Sequence, residues 1–541
     1  MKHKDFLIFD SLSNLIGFFV CFFTVIIFIY SLGFIKERKK EYYLWFFLTF
    51  VASLGIAFSN HLILLIILWE FLGLTLFKLI NLYVDKETNW VAKKTFIIVG
   101  GSDGLLLLGF LIYIHINNYF VFGKPLYINN SLSFLSFLFI ALGCFAKAGA
   151  IPLHTWIPPT SQYAPLPVVA YLPASVDKLL GIYLLVRAVK DMFILDNLSK
   201  AILLIVGSFT VICAVMMALV QHNVKKLLGF HAISQVGYMV LGIGCATPLG
   251  LAGGLFHMVN NAIYKSCLFL GAGNVEKNVH TSEIDNLGGL GKFMPLTFLT
   301  TLIASLSISG IPPLNGFVSK WIIYQSLINF ISSSNSTILK FITSFSLASA
   351  LIGSGLTLAS FLKLNSGVFL GRRKEKVKEV KGLLLFSPLV LSFLCIVFGI
   401  FSYSTILPFI KKGAGEFSLG GLWKSSLATN LIILGVIFGL IVFKIMSAKK
   451  IRVSPAFVGG EELNIEEEVK ISPFYNTIRE MKFIKKIYNL AEKKNFGVYE
   501  LLSKFVFLFV KLFRYLHNGV LPTYLVWCLV AMLGLFFVFF K

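Results

Sequence analysis

The chain is a succession of apolar runs separated by short polar turns. A membrane helix needs roughly 20 apolar residues, and about fourteen runs approach that length. They lie near 13–34, 41–58, 61–83, 91–115, 131–150, 166–190, 199–219, 225–245, 249–271, 294–331, 341–363, 382–404, 426–447 and 520–540. The run at 294–331 is too long for one plain crossing and contains Gly310-Ile311-Pro312-Pro313, so it reads as one crossing broken in the middle. The run at 131–150 ends on GCFAKAGAI, with Lys147 inside it, and Pro152, His154, Trp156, Pro158 and Pro159 follow. A cation at a helix centre costs about 2.5–3.5 kcal/mol on insertion scales, and a proline removes a helix hydrogen bond. Irregular backbone at membrane depth is tolerated only where protein packs it or where it lines a wet cavity. The stretch therefore reads as a broken helix in a transport pathway, with Lys147 as a working ion-carrying group. The competing reading is a lysine snorkelling to the nearer interface.

The segment 448–519 has another pattern. It opens on a polar loop with Glu461, Glu462, Glu466, Glu467 and Glu468. From Pro473, Met481, Ile484, Ile487, Tyr488 and Ala491 recur at helical spacing with Lys482, Lys485, Lys486 and Lys493 between them. That basic amphipathic pattern suits the cytoplasmic interface or a partner's surface. Asn495-Phe496-Gly497 marks a break. The run 498–516 carries Lys504, Lys511 and Arg514 among its apolar residues, which predicts a helix lying along the membrane. Residues 520–541 read as a final membrane anchor.

Composition narrows the class. Hydrophobic residues make up 57% of 541 and charged residues 13%, against about 25% charged in a soluble domain. The net charge of +23 calls for no nucleic acid partner, because lysines gathered in cytoplasmic loops account for it. Alternate loops hold Lys36, Arg38, Lys39 and Lys40, then Lys86, Lys93 and Lys94, then Lys225 and Lys226, then Arg372, Arg373, Lys374, Lys376 and Lys378. This excess on one side predicts a multi-pass protein of the cell membrane with both termini extracytoplasmic. The seven cysteines are scattered through apolar runs without a CxxC, so neither a metal centre, an iron–sulfur cluster nor a disulfide framework is expected in this chain. No small-residue cleavage site follows the first run, which reads as a retained helix.

Other ionisable groups sit inside apolar runs: Glu70 after Trp69, Asp177 with Lys178, His231, His257, Lys265 and Lys320. Such residues generally face the bundle interior and pair with one another. Burial lowers a lysine's proton affinity and raises a carboxylate's. A series of Glu, Lys and His bridged by water is therefore a proton relay in kind, and it needs neither a metal nor a covalent intermediate. A weak internal symmetry accompanies them. Lys147 precedes Gly149-Ala150-Ile151-Pro152, and Lys320 follows Ser309-Gly310-Ile311-Pro312. Matched interruptions in two halves of a transporter point to the ion site.

Seven stretches together carry a family resemblance: FDSLS at Phe9–Ser13, LLIILWEFLGL around Glu70, AKAGAIPLHTWIP around Lys147, VKKLLGFHAISQVGYMVLGIG at 224–244, GLFHMVNNAIYKSCLFLGAG around Lys265, DNLGGLGKFMPLT at 285–297, and SGIPPLNGFVSK ending at Lys320. The chain resembles the antiporter-like, proton-conducting membrane subunits of the complex I superfamily. These include the large membrane subunits of NADH–quinone oxidoreductase, of membrane-bound energy-converting hydrogenases and of Mrp Na⁺/H⁺ antiporters. The resemblance is strongest over residues 5–363. It implies an all-α polytopic fold with two inverted five-helix repeats, at 41–190 and 199–363, and two broken helices, near 151 and 312. An N-terminal helix at 1–40, further membrane helices at 364–447, a lateral amphipathic helix within 448–519 and the anchor at 520–541 complete it.

By the same resemblance Glu70 pairs with Lys147 and sets its proton affinity. Lys178 bridges to the centre, Lys265 is the central lysine, assisted by His257, and Lys320 is the outlet. Asp177, His154 and His231 support them, while Pro152, Pro312 and Pro313 make the breaks. Relatives commonly have two more helices before the Trp-Glu helix and a second histidine where Asn261 stands, and Phe230-His231 replaces a Tyr-Ser pair. LPASVDKLLGIY and SPFYNTIREM resemble the hydrogenase branch. The implied function is ion translocation, as protons, driven by redox chemistry in partner subunits that hold iron–sulfur clusters and, in a hydrogenase, nickel–iron. The alternatives are an Mrp-type Na⁺/H⁺ antiporter subunit, an NADH–quinone oxidoreductase subunit, and a non-transporting scaffold.

Overall fold

A computed structural model of the chain describes residues 6–371, 375–420, 425–445, 475, 479–481, 485–486, 488–490, 497–517 and 519–539. The helices are α1 (Ser11–Phe34), α2 (Lys39–Phe58), α3 (Leu62–Ile80), α4 (Lys86–Asn117), α5 (Ser131–Ala148), α6 (Ile157–Tyr163), α7 (Leu166–Tyr171) and α8 (Asp177–Arg187). Next come α9 (Asn197–Leu219), α10 (Val224–Gly244), α11 (Pro248–Val279), α12 (Pro295–Ser309), α13 (Asn315–Ser333), α14 (Thr337–Phe369), α15 (Leu383–Ile400), α16 (Leu407–Ala414) and α17 (Ser425–Ile445). These belong to one unit, Met1–Arg479; a second, Glu480–Lys541, contains α18 (Val498–Leu516) and α19 (Leu521–Phe539).

Among the described residues ten helices are long and apolar enough to cross a membrane, with α7 and α8 joined as one crossing through a π-helical turn at Leu172–Val176. The chain is a multi-pass membrane protein. The remaining apolar runs also fold as helices: α11, which carries its polar residues in its middle, the split pair α12/α13, α17 and α19. Starts are set by short polar side chains that accept from the first free amides, Asp85 for Thr88, Asn130 for Ser133, Asp196 for Ser199 and Thr247 for Gly250.

Two runs of five crossings follow each other. The first is α2, α3, α4, the interrupted α5/α6, and α7/α8; the second is α9, α10, α11, the interrupted α12/α13, and α14. Both interruptions turn on a glycine in the left-handed region, Gly149 at φ +87° and Gly310 at φ +82°. There only glycine is free of Cβ strain. Each is followed by a cis prolyl bond, Ile151–Pro152 and Pro312–Pro313. The two breaks differ in length. In the second half α13 resumes at Asn315, whereas in the first the backbone turns through residues 149–156 before the short α6.

The crossing α7/α8 and helix α10 are buried throughout their apolar windows, whereas α2, α14 and α15 bury only 39% of theirs. The polar residues of α7/α8 and α10 thus sit among protein, while Phe18, Val25, Phe47 and Val51 are exposed. Close approach of α9 and α10 needs small residues. A Cβ on Gly237 would stand 2.7 Å from the Gly207 carbonyl oxygen.

The FDSLS motif locks one end of the first half. Asp10 caps α1 through the Ser13 amide and accepts both Nη atoms of buried Arg187 at 2.6 and 2.7 Å. Asp191 and the Ser13 hydroxyl take the same guanidinium at 2.7 and 2.8 Å, and Tyr183 takes its Nε. The acidic loop and most of the basic run expected over 473–493 lie outside the described residues. In α18 the polar residues Glu500, Ser503, Lys504, Lys511 and Arg514 fall on one stripe against Leu501, Phe505, Leu508 and Leu512, the arrangement of an interfacial helix.

Removing one partner of a buried ion pair strands the others. Arg187→Ala is expected to cost about 3 kcal/mol, the low end for such a loss because Asp10 and Asp191 are partly solvated. Thermal unfolding of the detergent-purified protein checks it; an unchanged midpoint contradicts the lock.

Candidate ion-relay site

The first half places Lys147 in the last turn of α5, fully buried. Its Nζ donates to the Trp69 carbonyl at 3.3 Å and stands 5.0 Å from the centre of the Trp69 ring. The Trp69 indole N–H donates in turn to Asp103 Oδ1 at 2.9 Å. Asp103 is fully buried in α4 and within Coulombic range of Lys147, Glu70 and Asp177; its Oδ2 has no hydrogen-bond partner among the described residues. Glu70, one position after Trp69 on α3, is exposed and lies within Coulombic range of Lys147, with no ion pair within 4 Å between them. The carboxylate that shares Trp69 with Lys147 is Asp103.

Lys178 is fully buried at the start of α8 and donates to the Ala148 carbonyl at 2.7 Å, the last residue of α5. A cation there meets the negative end of a helix. Asp177 beside it is fully buried, within range of Lys147 and Lys178, and neither of its oxygens has a hydrogen-bond partner among the described residues. Asn261 of α11 reaches the Ala174 carbonyl in the π-helical turn at 3.5 Å, linking the two halves one turn from Lys265.

Lys265 is fully buried on α11 and donates to the Leu228 carbonyl of α10 at 2.8 Å. The rings of Phe269 and Phe361 lie 5.9 and 5.7 Å from its Nζ. His231, one turn beyond Leu228, pairs its Nε2 with the Ser360 hydroxyl of α14 at 2.7 Å. His257 binds Ser319 through Nδ1 at 2.9 Å and Gln235 through Nε2 at 3.1 Å. These run toward α13 and α10; the Tyr264 hydroxyl, beside Lys265 on α11, lies 3.5 Å from the same Nε2, and none goes to Lys265 itself.

Lys320 on α13 is 2% exposed and donates to the Ile308 and Ser309 carbonyls at 2.9 and 3.4 Å, closing the end of α12. The Tyr238 ring centre lies 4.7 Å from its Nζ. Asn315 holds this break: its Oδ1 accepts from the Ser307 hydroxyl, its side-chain amide donates to Asn260 Oδ1 of α11, and its main-chain carbonyl accepts from the Asn260 amide, which ties the second interruption to the helix of Lys265. His154 is half-buried in the turn after α5, where its carbonyl accepts from Ile157; its Nδ1 has no hydrogen-bond partner among the described residues.

Besides Arg187 of the lock, the buried charged groups Asp103 and Lys363 escaped the sequence reading. Asp103 lies in GGSDGLLLL, where flanking glycines suggest a turn but the structure continues helix; the lone acid in an apolar run was the available signal. Lys363 lies near the end of the long α14, where a lysine reads as snorkelling. It is 1% exposed and donates to the Leu219 and Gln221 carbonyls at 2.9 and 3.0 Å, at the end of α9. Among the described residues no group of three or more His, Cys, Asp or Glu is placed to hold a metal ion.

Residues 59–346 match the family model described as NADH:quinone oxidoreductase/Mrp antiporter, TM. The chain is 30% identical to Na(+)/H(+) antiporter subunit A1 of Staphylococcus haemolyticus over 72% of this chain and 52% of that protein. It is 29% identical to hydrogenase-4 component B of Escherichia coli K12 over 76% of this chain and 64% of that protein. It thus spans about half the length of the antiporter relatives it matches. A subunit of the membrane-bound sulfane sulfur reductase, an archaeal respiratory membrane complex, superposes with a TM-score of 0.80 at 21% identity, over 97% of this chain and 88% of that one. The Mrp complex from Dietzia sp. DQ12-45-1b gives 0.68 at 18%, over 75% and 84%. These likenesses are of fold.

Trp69→Phe keeps the ring beside Lys147 but leaves Asp103 without its donor. Stranding a buried carboxylate costs about 1–3 kcal/mol, to be read as a lowered unfolding midpoint. A midpoint equal to the parent's shows that Asp103 does not depend on the indole.

Proposed function

The chain belongs to the NADH:quinone oxidoreductase/Mrp antiporter transmembrane family, and from that premise we propose that it is the ion-translocating membrane subunit of a complex I-related assembly of the hydrogenase or oxidoreductase kind. The carrying observation is the series of buried lysines Lys147, Lys178, Lys265 and Lys320, each held by a backbone carbonyl. A neutral acceptor favours the ammonium less than a carboxylate does. Each lysine can therefore release its proton without breaking an ion pair. Lys178 lies within Coulombic range of Lys265, so a charge change at one station alters the next. Asp103 faces Lys147, and Asp177 faces both Lys147 and Lys178, so negative charge on either carboxyl favours the ammonium beside it. His231, His257, Gln235 and Asn261 provide the hydrogen-bonding groups between stations.

Glu70 supports the assembly. An exposed carboxylate at span depth is costly against lipid, and a neighbouring membrane subunit with a polar face relieves it. Redox chemistry then resides in peripheral subunits carrying iron–sulfur clusters, with nickel–iron if the partner is a hydrogenase, and the charge change they cause enters at Glu70. The basic loops at Lys36–Lys40, Lys93–Lys94 and Lys225–Lys226 support a cell-membrane orientation with both ends of the chain extracytoplasmic.

A second reading, an Mrp-type Na⁺/H⁺ antiporter subunit without a redox partner, is favoured by the staphylococcal relatives, which carry that name. Iron and nickel co-purifying with the assembled complex support the first reading, and their absence from an intact complex supports the second. In either, Lys265→Ala is expected to lower donor- or Na⁺-driven proton movement in membrane vesicles by about a hundredfold or more. Parental flux in that variant sinks the relay.

A further inference from the structure

Helices α1 and α15 pack side by side and antiparallel. The Ser387 hydroxyl donates to the Ile26 carbonyl at 2.8 Å, and a Cβ on Gly33 would stand 3.2 Å from Leu384 Cγ. The end of α1 therefore lies beside the start of α15. The end of α11 joins them. Lys277, in its last turn, donates to the Gly33 carbonyl at 2.8 Å, and Asn278 donates its side-chain amide to the Lys378 carbonyl at 2.6 Å. Three segments of chain thus meet at one corner, on the membrane face where α1 ends.

Each segment brings lysine to that corner. Lys36 follows α1 and is exposed, Lys277 is half-buried on α11, and Lys378 and Lys381 are exposed ahead of α15. Lys36 and Lys277 lie within Coulombic range of each other. Like charges brought together disfavour each other's charged form, and the acids nearby do not relieve them. Glu41 pairs with Arg38, Glu276 pairs with Lys225, and Glu379 accepts from the Leu296 and Thr297 amides at the start of α12. Among the described residues no carboxylate stands within 4 Å of the amine of Lys36, Lys277, Lys378 or Lys381.

The surface that runs from this corner into the membrane is apolar. Ile29 and Leu32 of α1 are half-buried and exposed, and Leu383 and Phe386 of α15 are exposed. Hydrocarbon covers such a seam whatever the lipid. The lysines add selectivity, because basic pockets between membrane helices attract anionic head groups.

We propose that the corner of Lys36, Lys277, Lys378 and Lys381 is a binding site for an anionic phospholipid, with its phosphodiester among the lysines and an acyl chain along the α1–α15 seam. The bound anion supplies the negative charge that the protein leaves out.

The test reconstitutes the native complex into phosphatidylcholine vesicles containing a minor fraction of phosphatidylglycerol with a photoactivatable acyl chain. Labelled peptides of this chain are then mapped by mass spectrometry. Labelling is expected on α1 and α15 beside the seam, and it is expected to fall about fivefold for each lysine removed in Lys36→Gln and Lys381→Gln. Both variants keep the Lys277–Gly33 hydrogen bond. Unchanged labelling in the double variant overturns the proposal. Equal labelling by a phosphatidylcholine analogue shows a seam that takes any lipid, and loss of labelling to inorganic phosphate at matched ionic strength shows a free-anion site; either overturns it. Absence of label on both helices in the assembled complex, as when another protein covers them, overturns it as well. Should the variants fail to assemble, salt decides in the parental complex. The preference for phosphatidylglycerol over phosphatidylcholine is expected to shrink as salt screens the lysines; a preference indifferent to salt overturns the site.

Discussion

A primary ammonium taken out of water must be given acceptors, and this protein supplies them from its backbone. Lys147, Lys178, Lys265, Lys320 and Lys363 each donate to a main-chain carbonyl, and three of them do so at a helix end: Lys178 at α5, Lys320 at α12 and Lys363 at α9. Helix ends are where carbonyls lack intrahelical partners and where the helix dipole is negative. The two interruptions thus serve as acceptor sites at membrane depth. A carboxylate within bonding distance would hold each lysine more tightly. Here the buried carboxylates Asp103 and Asp177 lie within Coulombic range of Lys147 without a hydrogen bond to it.

The ionisable groups recur by position in the two runs of five crossings. The second helices hold Glu70 and His231, the third Asp103 and Lys265, the interrupted fourth Lys147 and Lys320, and the fifth Lys178 and Lys363. The counterpart to Lys147 at the break is therefore close but not identical. Lys147 precedes its glycine and donates to α3, whereas Lys320 follows its glycine and closes the end of α12. In the first half that closing role belongs to Lys178. One architecture has been loaded with different charges, mostly acidic and cationic in the first half and cationic with histidine in the second.

Apolar runs of about twenty residues announce crossings whatever they pack against, so the helical, multi-pass class was legible; of the fourteen runs, ten fold among the described residues as helices long and apolar enough to cross. Gly-Pro pairs announced both interruptions for the same local reason. Hydrogen-bond partners were not legible, because they depend on which face of a helix turns inward; Glu70 lies within Coulombic range of Lys147 but makes no bond to it. Glu70 follows Trp69 by one residue, about 100° around the helix, and so Trp69 is buried while Glu70 faces out. Asp103 and Lys363 carried the same signal as the residues that were singled out, a lone charge in an apolar run, but neighbouring glycines and a helix end offered simpler explanations. Of the partners of His257, only Tyr264, two turns on along α11, was within reach of the sequence; Gln235 and Ser319 come from two other helices.

The central claim is that the lysines act in series, and a double-mutant cycle on Lys178 and Lys320 tests it most directly. Groups that act as one unit are strongly non-additive, and losing both costs about as much as losing the more damaging one. In vesicles carrying the assembled complex, proton flux in Lys178→Ala, Lys320→Ala and the double variant is expected to fall to the same residual level. A double variant whose loss is the product of the two single losses contradicts a single relay, because independent sites add in free energy.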